Sequence, residues 1–242
     1  MVYKTGLMST HGTGKTTLAF DVAGELKKKS LKVRVIRELA TLARERNIPI
    51  DQTTTLEAQA WILYRQCSAE LEAKIYNYDV VICDRTVLDN YCYLLNAVGE
   101  DKFYQDLALG FSRKHPYDSL FYLPINGELN PLKPSGSGEQ AGRKFSESLS
   151  DTISRYSGGK LTEMDPAACV SLLTEMNLAK EEYFKQRDPD YQFQERIDKL
   201  VTSFLSKHSI AYASLSSDYG KWVDIIVNKT LEDLEKRKSG AS

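Results

Sequence analysis

The sequence predicts an α/β fold built on a parallel sheet. Short β-branched segments alternate with longer segments of helical apolar spacing along most of the 242 residues. The segment Asp79–Cys83 reads Asp-Val-Val-Ile-Cys, which is the composition of a strand buried on both faces. Strands that alternate with helices are joined by right-handed crossovers, so we expect parallel strands with helices on the faces of the sheet.

Individual elements follow from this alternation. Strands are predicted at Tyr3–Met8, Lys32–Arg37, Asp79–Cys83, Tyr117–Leu123 and Ile210–Leu215. Helices are predicted at Gly14–Lys29, Leu56–Tyr76, Val87–Val98, Lys102–Lys114 and Asp224–Lys236, with another that starts near Tyr191. In the first of these helices, Leu18, Val22 and Leu26 share one face, and lysines lie at the C-terminal end, where the helix dipole favours them.

Bulk composition disfavours several classes of protein. The formal net charge is -1 and charged residues of both signs make up 27% of the chain, which gives no global sign of a nucleic-acid or membrane-surface binder. No stretch approaches the ~20 apolar residues of a membrane span. The four cysteines form no CxxC pair, which disfavours zinc and redox sites and fits a reducing compartment. The polar N-terminus does not resemble a signal peptide, and we expect a cytoplasmic protein.

One segment interrupts the alternation of strands and helices. Residues 133–142 read Lys-Pro-Ser-Gly-Ser-Gly-Glu-Gln-Ala-Gly, a turn-rich sequence typical of a flexible connection. Helical segments follow at Phe145–Arg155 and Pro166–Tyr183, and the regular core could close without them. We therefore expect a core formed by residues 1–132 and 187–242, with residues 133–186 as a helical insertion.

The strongest motif follows the first predicted strand and leads directly into a helix. It reads Ser9-Thr10-His11-Gly12-Thr13-Gly14-Lys15-Thr16-Thr17. Gly12 and Gly14 allow positive φ, so that successive backbone N–H groups can surround phosphates at the positive end of the helix. Lys15 supplies a charge for the β- and γ-phosphates, and Thr16 a hydroxyl for Mg²⁺. The pattern predicts a P-loop that binds ATP and Mg²⁺, although Ser9 replaces the usual first glycine.

The nucleotide-binding residues are therefore predicted to be Thr10, His11, Gly12, Thr13, Gly14, Lys15, Thr16 and Thr17. We expect His11 to face the substrate side or solvent, rather than to act in catalysis.

Charged side chains follow two other predicted strands. Asp84-Arg85-Thr86 comes after the third strand in the sequence, and Arg37-Glu38 ends the second. The carboxyl ends of parallel strands meet at one edge of a sheet, beside the P-loop. Asp84 is therefore a candidate ligand of Mg²⁺, and the alternative is that Asp84 or Thr86 caps the following helix.

The same edge supplies candidates for the substrate pocket. Arg85 can clamp a phosphate or carboxylate, and the alternative is a surface ion pair. Glu38 can accept a proton from an attacking hydroxyl or fix a sugar, and the alternative is a solvated charge at a helix start. Arg37 is assigned to the same pocket. Asp89 and Tyr93 lie four residues apart on one helix face and are expected to line it, with core packing as the alternative for Tyr93.

Together these residues resemble the nucleoside- and nucleotide-kinase branch of P-loop proteins, in particular ATPase/kinase domains similar to ribosylnicotinamide kinase and, next, thymidylate kinase. The resemblance covers residues 1–132 and 187–238. It implies a three-layer P-loop fold with a five-stranded parallel sheet of order 2-3-1-4-5, ATP as the phosphate donor, and a helical insertion in the lid region. It also implies a lid arginine that closes over the transferred phosphate. Arg187 is the first candidate, with Arg143 and Arg196 in reserve, and the loop Ser216–Gly220 lies where such kinases hold adenine.

The predicted function is an ATP–Mg²⁺-dependent phosphotransferase that acts on a nucleoside, a nucleoside monophosphate or a related ribosyl small molecule. The alternative is a regulatory P-loop ATPase whose nucleotide state controls the 133–186 segment and a protein partner. The pairs Asp84-Arg85 and Arg37-Glu38 favour the kinase, because a pure switch needs no acceptor pocket. A kinase of nucleic-acid ends would need a basic groove, which the near-neutral charge disfavours. Homo-oligomerisation stays open.

Overall fold

The computed structural model describes residues 2–50, 53–125, 191–215 and 218–240. Within these ranges the strands are β1 (Tyr3–Met8), β2 (Val33–Ile36), β3 (Val80–Asp84), β4 (Ser119–Tyr122) and β5 (Ala213–Ser214). The helices are α1 (Lys15–Lys28), α2 (Leu39–Glu45), α3 (Leu56–Ile75), α4 (Val87–Val98), α5 (Lys102–Lys114), α6 (Tyr191–Lys207) and α7 (Trp222–Lys238). A 3₁₀ turn at Tyr219–Lys221 precedes α7. Among the helices described here, none is both long and apolar enough to cross a membrane.

The five strands form one parallel sheet in the order β2-β3-β1-β4-β5. This confirms the predicted P-loop architecture and its strand order. β1 lies in the middle of the sheet, between β3 and β4, and Leu7 pairs with Asp84 while Met8 pairs with Tyr122. The carboxyl ends of β1 and β3 therefore meet, which brings the P-loop next to Asp84.

Apolar layers cover both faces of the sheet. Alternate residues of β3 point to opposite sides: Val80 and Ile82 pack with α1 and α7, whereas Val81 and Cys83 pack against α3. On the first side, the fully buried indole of Trp222 joins the buried stripe of α1. On the second side, a larger cluster unites α3, α4, α5 and α6. The sheet is thus held between two helical layers, as the predicted three-layer fold requires.

The structure differs from the predicted elements in a few places. Helix α2 was not predicted, because only Ala43 of its seven residues is buried and so short a helix leaves no apolar period to detect. β5 has two exposed residues at the edge of the sheet, fewer than predicted. The predicted insertion at 133–186, with both of its helices, lies outside the residues that the structure describes.

Candidate active site

The loop between β1 and α1 has the backbone of a phosphate-binding loop. Gly12 (φ 72°) and Gly14 (φ 86°) both adopt left-handed backbone conformations, in which a residue with a side chain would be strained. Gly14 is the N-cap of α1 and has no side chain to accept hydrogen bonds from the first-turn N–H groups. These N–H groups therefore remain available for an anion at the positive end of the helix.

Lys15 is the first residue of α1, and its side chain folds back over the loop. The buried ammonium donates to the carbonyl oxygen of Thr10, and its Nζ lies 3.4 Å from Thr13 Oγ1. Burial lowers the pKa of Lys15 to about 7, with the nearby Arg85 guanidinium as the next cause. The side chain is thus placed to regain its charge when phosphate arrives.

Two candidate magnesium ligands lie in direct contact. Thr16 Oγ1 donates to Asp84 Oδ2 over 2.6 Å, across the junction of α1 and β3. Asp84 is 1% exposed, and its other oxygen, Oδ1, is buried without a hydrogen-bond partner among the described residues. Burial, followed by the charge of Glu38, raises the pKa of Asp84. An unsatisfied carboxylate oxygen beside a hydroxyl fits a hard cation such as Mg²⁺.

The described ranges contain no group of three His, Cys, Asp or Glu side chains that could hold a metal without a substrate. A magnesium site completed by phosphate oxygens and water does not need one. The predicted cap of α4 is Thr86: its Oγ1 accepts from the N–H groups of Leu88 and Asp89, at 3.2 Å each. Asp89 Oδ1 in turn accepts from the Thr86 N–H in a capping box, so Asp84 is not needed as a cap.

Arg85 contacts several residues of the candidate site. Its Nε donates to Glu38 Oε1 over 2.7 Å, one terminal nitrogen donates to the Ser9 carbonyl over 3.2 Å, and the other donates to Tyr93 Oη over 3.0 Å. The guanidinium also lies over the Tyr93 ring, 4.4 Å from its centroid, and 3.6 Å from Asp89 Oδ2. Arg85 is 4% exposed, so it is a buried organising residue rather than a surface ion pair.

The backbone of Arg85 is strained. Its φ of 99° lies in the left-handed region, which costs a non-glycine residue about 1–3 kcal/mol. Such a conformation persists only where the surroundings impose it, and it is most common at functional sites. The turn after β3 therefore carries a strained conformation at the residue that contacts Glu38, Ser9 and Tyr93.

A protein-family model described as "AAA domain" matches residues 6–157, more than half of the chain. The chain belongs to this AAA-domain family. The matched range includes the P-loop, Glu38 and the turn at Asp84–Thr86, which are the parts of the site described above.

The search of curated proteins gave no match to the AAA-domain protein. Among solved structures, it is similar to deoxyadenosine kinase from M. mycoides with bound dCTP. The two share 13% sequence identity with a TM-score of 0.48, over 95% of this chain and 99% of the other.

Other predicted residues of the AAA-domain protein fall into four groups. Arg37 follows β2 directly and has an exposed side chain. Arg196 lies on α6, with its guanidinium 5.5 Å from the Phe193 ring. Arg187, Arg143, Ser216 and Ser217 lie outside the described residues. Tyr219, from the loop predicted to hold adenine, lies beside the P-loop, 3.5 Å from where a Cβ on Gly14 would be.

Sequence reasoning missed the contact between the P-loop and α6. Gln194 is fully buried, and its Nε2 donates to the His11 carbonyl over 2.7 Å. The His11 ring lies 5.5 Å from that of Phe193. No local pattern distinguishes Gln194 from a surface glutamine, because its partner lies 183 positions away. Helix α6 therefore helps to hold the P-loop in place.

The low pKa of Lys15 predicts that binding of a nucleoside triphosphate, tested with ATP, takes up a proton above neutral pH. In the free protein the pKa is about 7, against 10.5 ordinarily, so the unfolded chain binds more protons between these values and stability should rise with pH there. Phosphate favours the ammonium form and raises this pKa again. At about pH 8.5 we expect uptake of roughly one proton per ATP bound, and affinity that falls by up to about tenfold per pH unit.

Titration calorimetry in buffers of different ionisation enthalpy measures this uptake. Lys15→Met keeps the methylene groups and should remove the effect. Lys28→Ala changes an exposed lysine at the other end of α1 and should retain it. Equal binding enthalpies in all buffers for the natural protein would contradict the prediction.

Proposed function

We propose that this protein is an ATP–Mg²⁺-dependent phosphotransferase that transfers the γ-phosphate of ATP to a hydroxyl group of a small ribosyl compound. The observation that carries the proposal is the contact of Arg85 with both Glu38 and the Ser9 carbonyl. It places a carboxylate that can act as a base beside the loop that would hold the donor. A P-loop ATPase that only switches has no acceptor, so it needs no base for an acceptor hydroxyl.

The donor side follows from the P-loop. The free N–H groups at the start of α1 would bind the phosphate oxygens, and Lys15 would pair with the β- and γ-phosphates. Thr16 and Asp84 would hold Mg²⁺, which neutralises charge on the phosphates when bound. Tyr219 lies beside Gly14 and would contact the nucleotide, in line with the predicted adenine loop. These residues position and neutralise the phosphates, which is most of what phosphoryl transfer requires.

The acceptor side centres on Glu38. Its carboxylate would accept the proton of the acceptor hydroxyl as the hydroxyl oxygen bonds to the γ-phosphorus. The bond from that phosphorus to the bridging oxygen of ADP then breaks, and ADP leaves. Arg85 fixes the direction of the carboxylate through its 2.7 Å bond from Nε. The hydroxyl and ring of the partly buried Tyr93 close the other side of the guanidinium.

The charge around Arg85 supports an uncharged acceptor. A guanidinium has five N–H donors, and three of those of Arg85 already bond to Glu38, the Ser9 carbonyl and Tyr93, one from each nitrogen. Asp89 and Asp84 add two more buried carboxylates beside the two cations, Lys15 and Arg85. A monophosphate would have to compete with these contacts for the guanidinium. Within our proposal, the described residues therefore favour a nucleoside or similar alcohol over a nucleoside monophosphate, and Arg85 orients Glu38 instead of clamping the acceptor.

Three further parts of the proposal are supported by the sequence alone. Residues 133–186 would form a helical insertion in a core made of 1–132 and 187–242. Arg187 would close over the transferred phosphate as a lid arginine. The protein would act in the cytoplasm, as its cysteine usage suggests.

A regulatory ATPase is the second candidate function, and one contact favours it. The bond from Gln194 to the His11 carbonyl links the P-loop directly to α6. A change in the loop on nucleotide hydrolysis would reach that helix through this bond. In this reading the partner would be a protein.

Measurement of ADP formation separates the two candidates. The purified protein is given ATP and Mg²⁺ with nucleosides, nucleoside monophosphates or ribosylnicotinamide, and with no acceptor as the control. We expect ADP formation that depends on a nucleoside-type acceptor and is lost in Glu38→Gln, while ATP binding persists. Slow ADP formation that no acceptor changes would contradict the transferase and favour the regulatory ATPase.

A further inference from the structure

A buried polar cluster lies behind the turn that carries Arg85. Its centre is Glu70 on α3, which is 2% exposed. Glu70 Oε2 accepts from Lys4 Nζ on β1 over 2.6 Å, and Oε1 accepts from Gln66 Nε2 over 3.0 Å and from Tyr117 Oη over 2.6 Å. The Lys4 ammonium also lies 3.9 Å from the centroid of the Tyr117 ring and donates to the His115 carbonyl.

Two arms of this cluster reach the Arg85 turn. Gln66 Nε2 donates to the Arg85 carbonyl over 2.9 Å, and Tyr117 Oη accepts from the Val87 N–H over 3.0 Å. These bonds hold the two peptide groups that follow Arg85, one on each side of Thr86. The backbone after Arg85 is thus held by Gln66 and Tyr117, whose bonds described here involve neither the P-loop nor Glu38.

The orientation of the Gln66 amide supports a specific role. Both of its neighbours, a carboxylate and a carbonyl, are acceptors, so the NH₂ group must face them. Its own Oε1 is then left buried without a hydrogen-bond partner in the described part of the chain. An unsatisfied buried oxygen disfavours folding. A leucine would fill the space without that cost, so packing alone does not explain the glutamine.

Gly6 shows how closely the cluster fits the turn. A Cβ at this position of β1 would lie 2.6 Å from the Thr86 methyl group and 3.0 Å from the Tyr117 ring. Real Cβ atoms essentially never come as close as the first distance, the second is unusually tight, and both neighbours are held by hydrogen bonds. The glycine of the central strand therefore leaves the space that the threonine and the tyrosine occupy.

We propose that Gln66, Glu70 and Tyr117 are positioning residues that hold the backbone of Arg85 in its left-handed conformation and so aim its guanidinium at Glu38. Lys4 completes the cluster by neutralising Glu70, which would otherwise be an unpaired buried charge. The kinetic part of this inference rests on the transferase function proposed above. The structural part, the fixed direction of the Arg85 side chain, does not.

Gln66→Leu and Tyr117→Phe test the two arms separately. Both leave the Lys4–Glu70 ion pair intact, whereas removal of either partner of that pair would threaten folding. Tyr3→Phe is the matched control, because it removes a buried hydroxyl that donates to Asp233 over 2.7 Å on the other side of the sheet. Thermal melting of all three variants checks that they fold.

The first readout is the Arg85 Nε–H signal in a ¹H–¹⁵N NMR spectrum, identified by its loss in Arg85→Lys. We expect the signal to shift or broaden in Gln66→Leu and Tyr117→Phe, and to stay in place in Tyr3→Phe. A signal that stays in place in both test variants would overturn the proposal, whatever the kinetics.

The second readout is turnover with the acceptor that gives the most ADP in the panel above. We expect kcat to fall about 10- to 100-fold in each test variant. This is the range found when residues that orient metal ligands through hydrogen bonds are replaced. KM for ATP should stay near that of the natural protein, because the P-loop contacts remain. A shifted Arg85 signal with unchanged kcat would refute the catalytic importance of the cluster. If the natural protein forms no acceptor-dependent ADP, the proposed function fails, and the Arg85 signal still decides the positioning.

Discussion

Lys15→Ala should lower phosphate transfer on the order of 10³-fold, even at saturating ATP. The ammonium of Lys15 is the only cation that the described part of the P-loop places over the phosphate site, and it already points back to the Thr10 carbonyl. Its buried setting strengthens any interaction with the γ-phosphate, since little water screens the charge. Initial rates of ADP formation with acceptor present measure the loss.

Two further variants serve as controls for this experiment. Lys15→Met retains the methylene groups and should be as inactive as Lys15→Ala, with a melting temperature near that of the natural protein. Lys28→Ala, at an exposed ion pair with Glu25, should keep full activity. Full transfer by Lys15→Ala would show that the loop does not bind the donor, and the proposed function would then be wrong.

Asp84→Asn should reduce turnover at least about 100-fold, because the proposed Mg²⁺ site loses a charged ligand. The change should not destabilise the free protein. The pKa of Asp84 is raised, mainly by burial, so the folded protein holds its proton more tightly than the unfolded chain does. Stability from this group is therefore lost as pH rises from its ordinary pKa through the raised value, and the ionised form opposes folding at neutral pH. Asparagine removes that cost and can still accept from Thr16.

The measurement is turnover over a range of Mg²⁺ concentrations, together with thermal melting at pH 7. The Mg²⁺ concentration for half-maximal rate should rise in Asp84→Asn. Asp79→Asn, an exposed carboxylate just before the opposite end of β3, should change neither quantity. Unaltered turnover and Mg²⁺ dependence in Asp84→Asn would contradict the proposed role of Asp84 in binding Mg²⁺.

The sheet and the P-loop could be predicted because their signals are local. Apolar runs mark the strands, and the glycines of the loop stand where the backbone has positive φ. The edge position of Asp84 also followed from the topology, since parallel strands bring their carboxyl ends together.

The surroundings of Arg85 could not be predicted in the same way. Its partners Glu38 and Ser9 are 47 and 76 positions away in the sequence. Gln66 and Tyr117 carry no local signal that separates them from core or surface residues. Long-range contacts of this kind depend on side-chain placement in three dimensions, which periodicity does not contain. The sequence therefore indicated that Glu38, Asp84 and Arg85 lie near the P-loop, but not that Arg85 joins them.

The central position of β1 has a consequence for biosynthesis. The strand that leads into the P-loop is made before both of its neighbours, β3 and β4, which emerge from the ribosome much later. Helix α1 also packs against Trp222 and Ile226 of α7, near the other end of the sequence. Contacts so distant in sequence slow folding, because the intervening chain must first be ordered. We expect the nascent P-loop to stay unformed, and open to chaperones, until α7 has been translated.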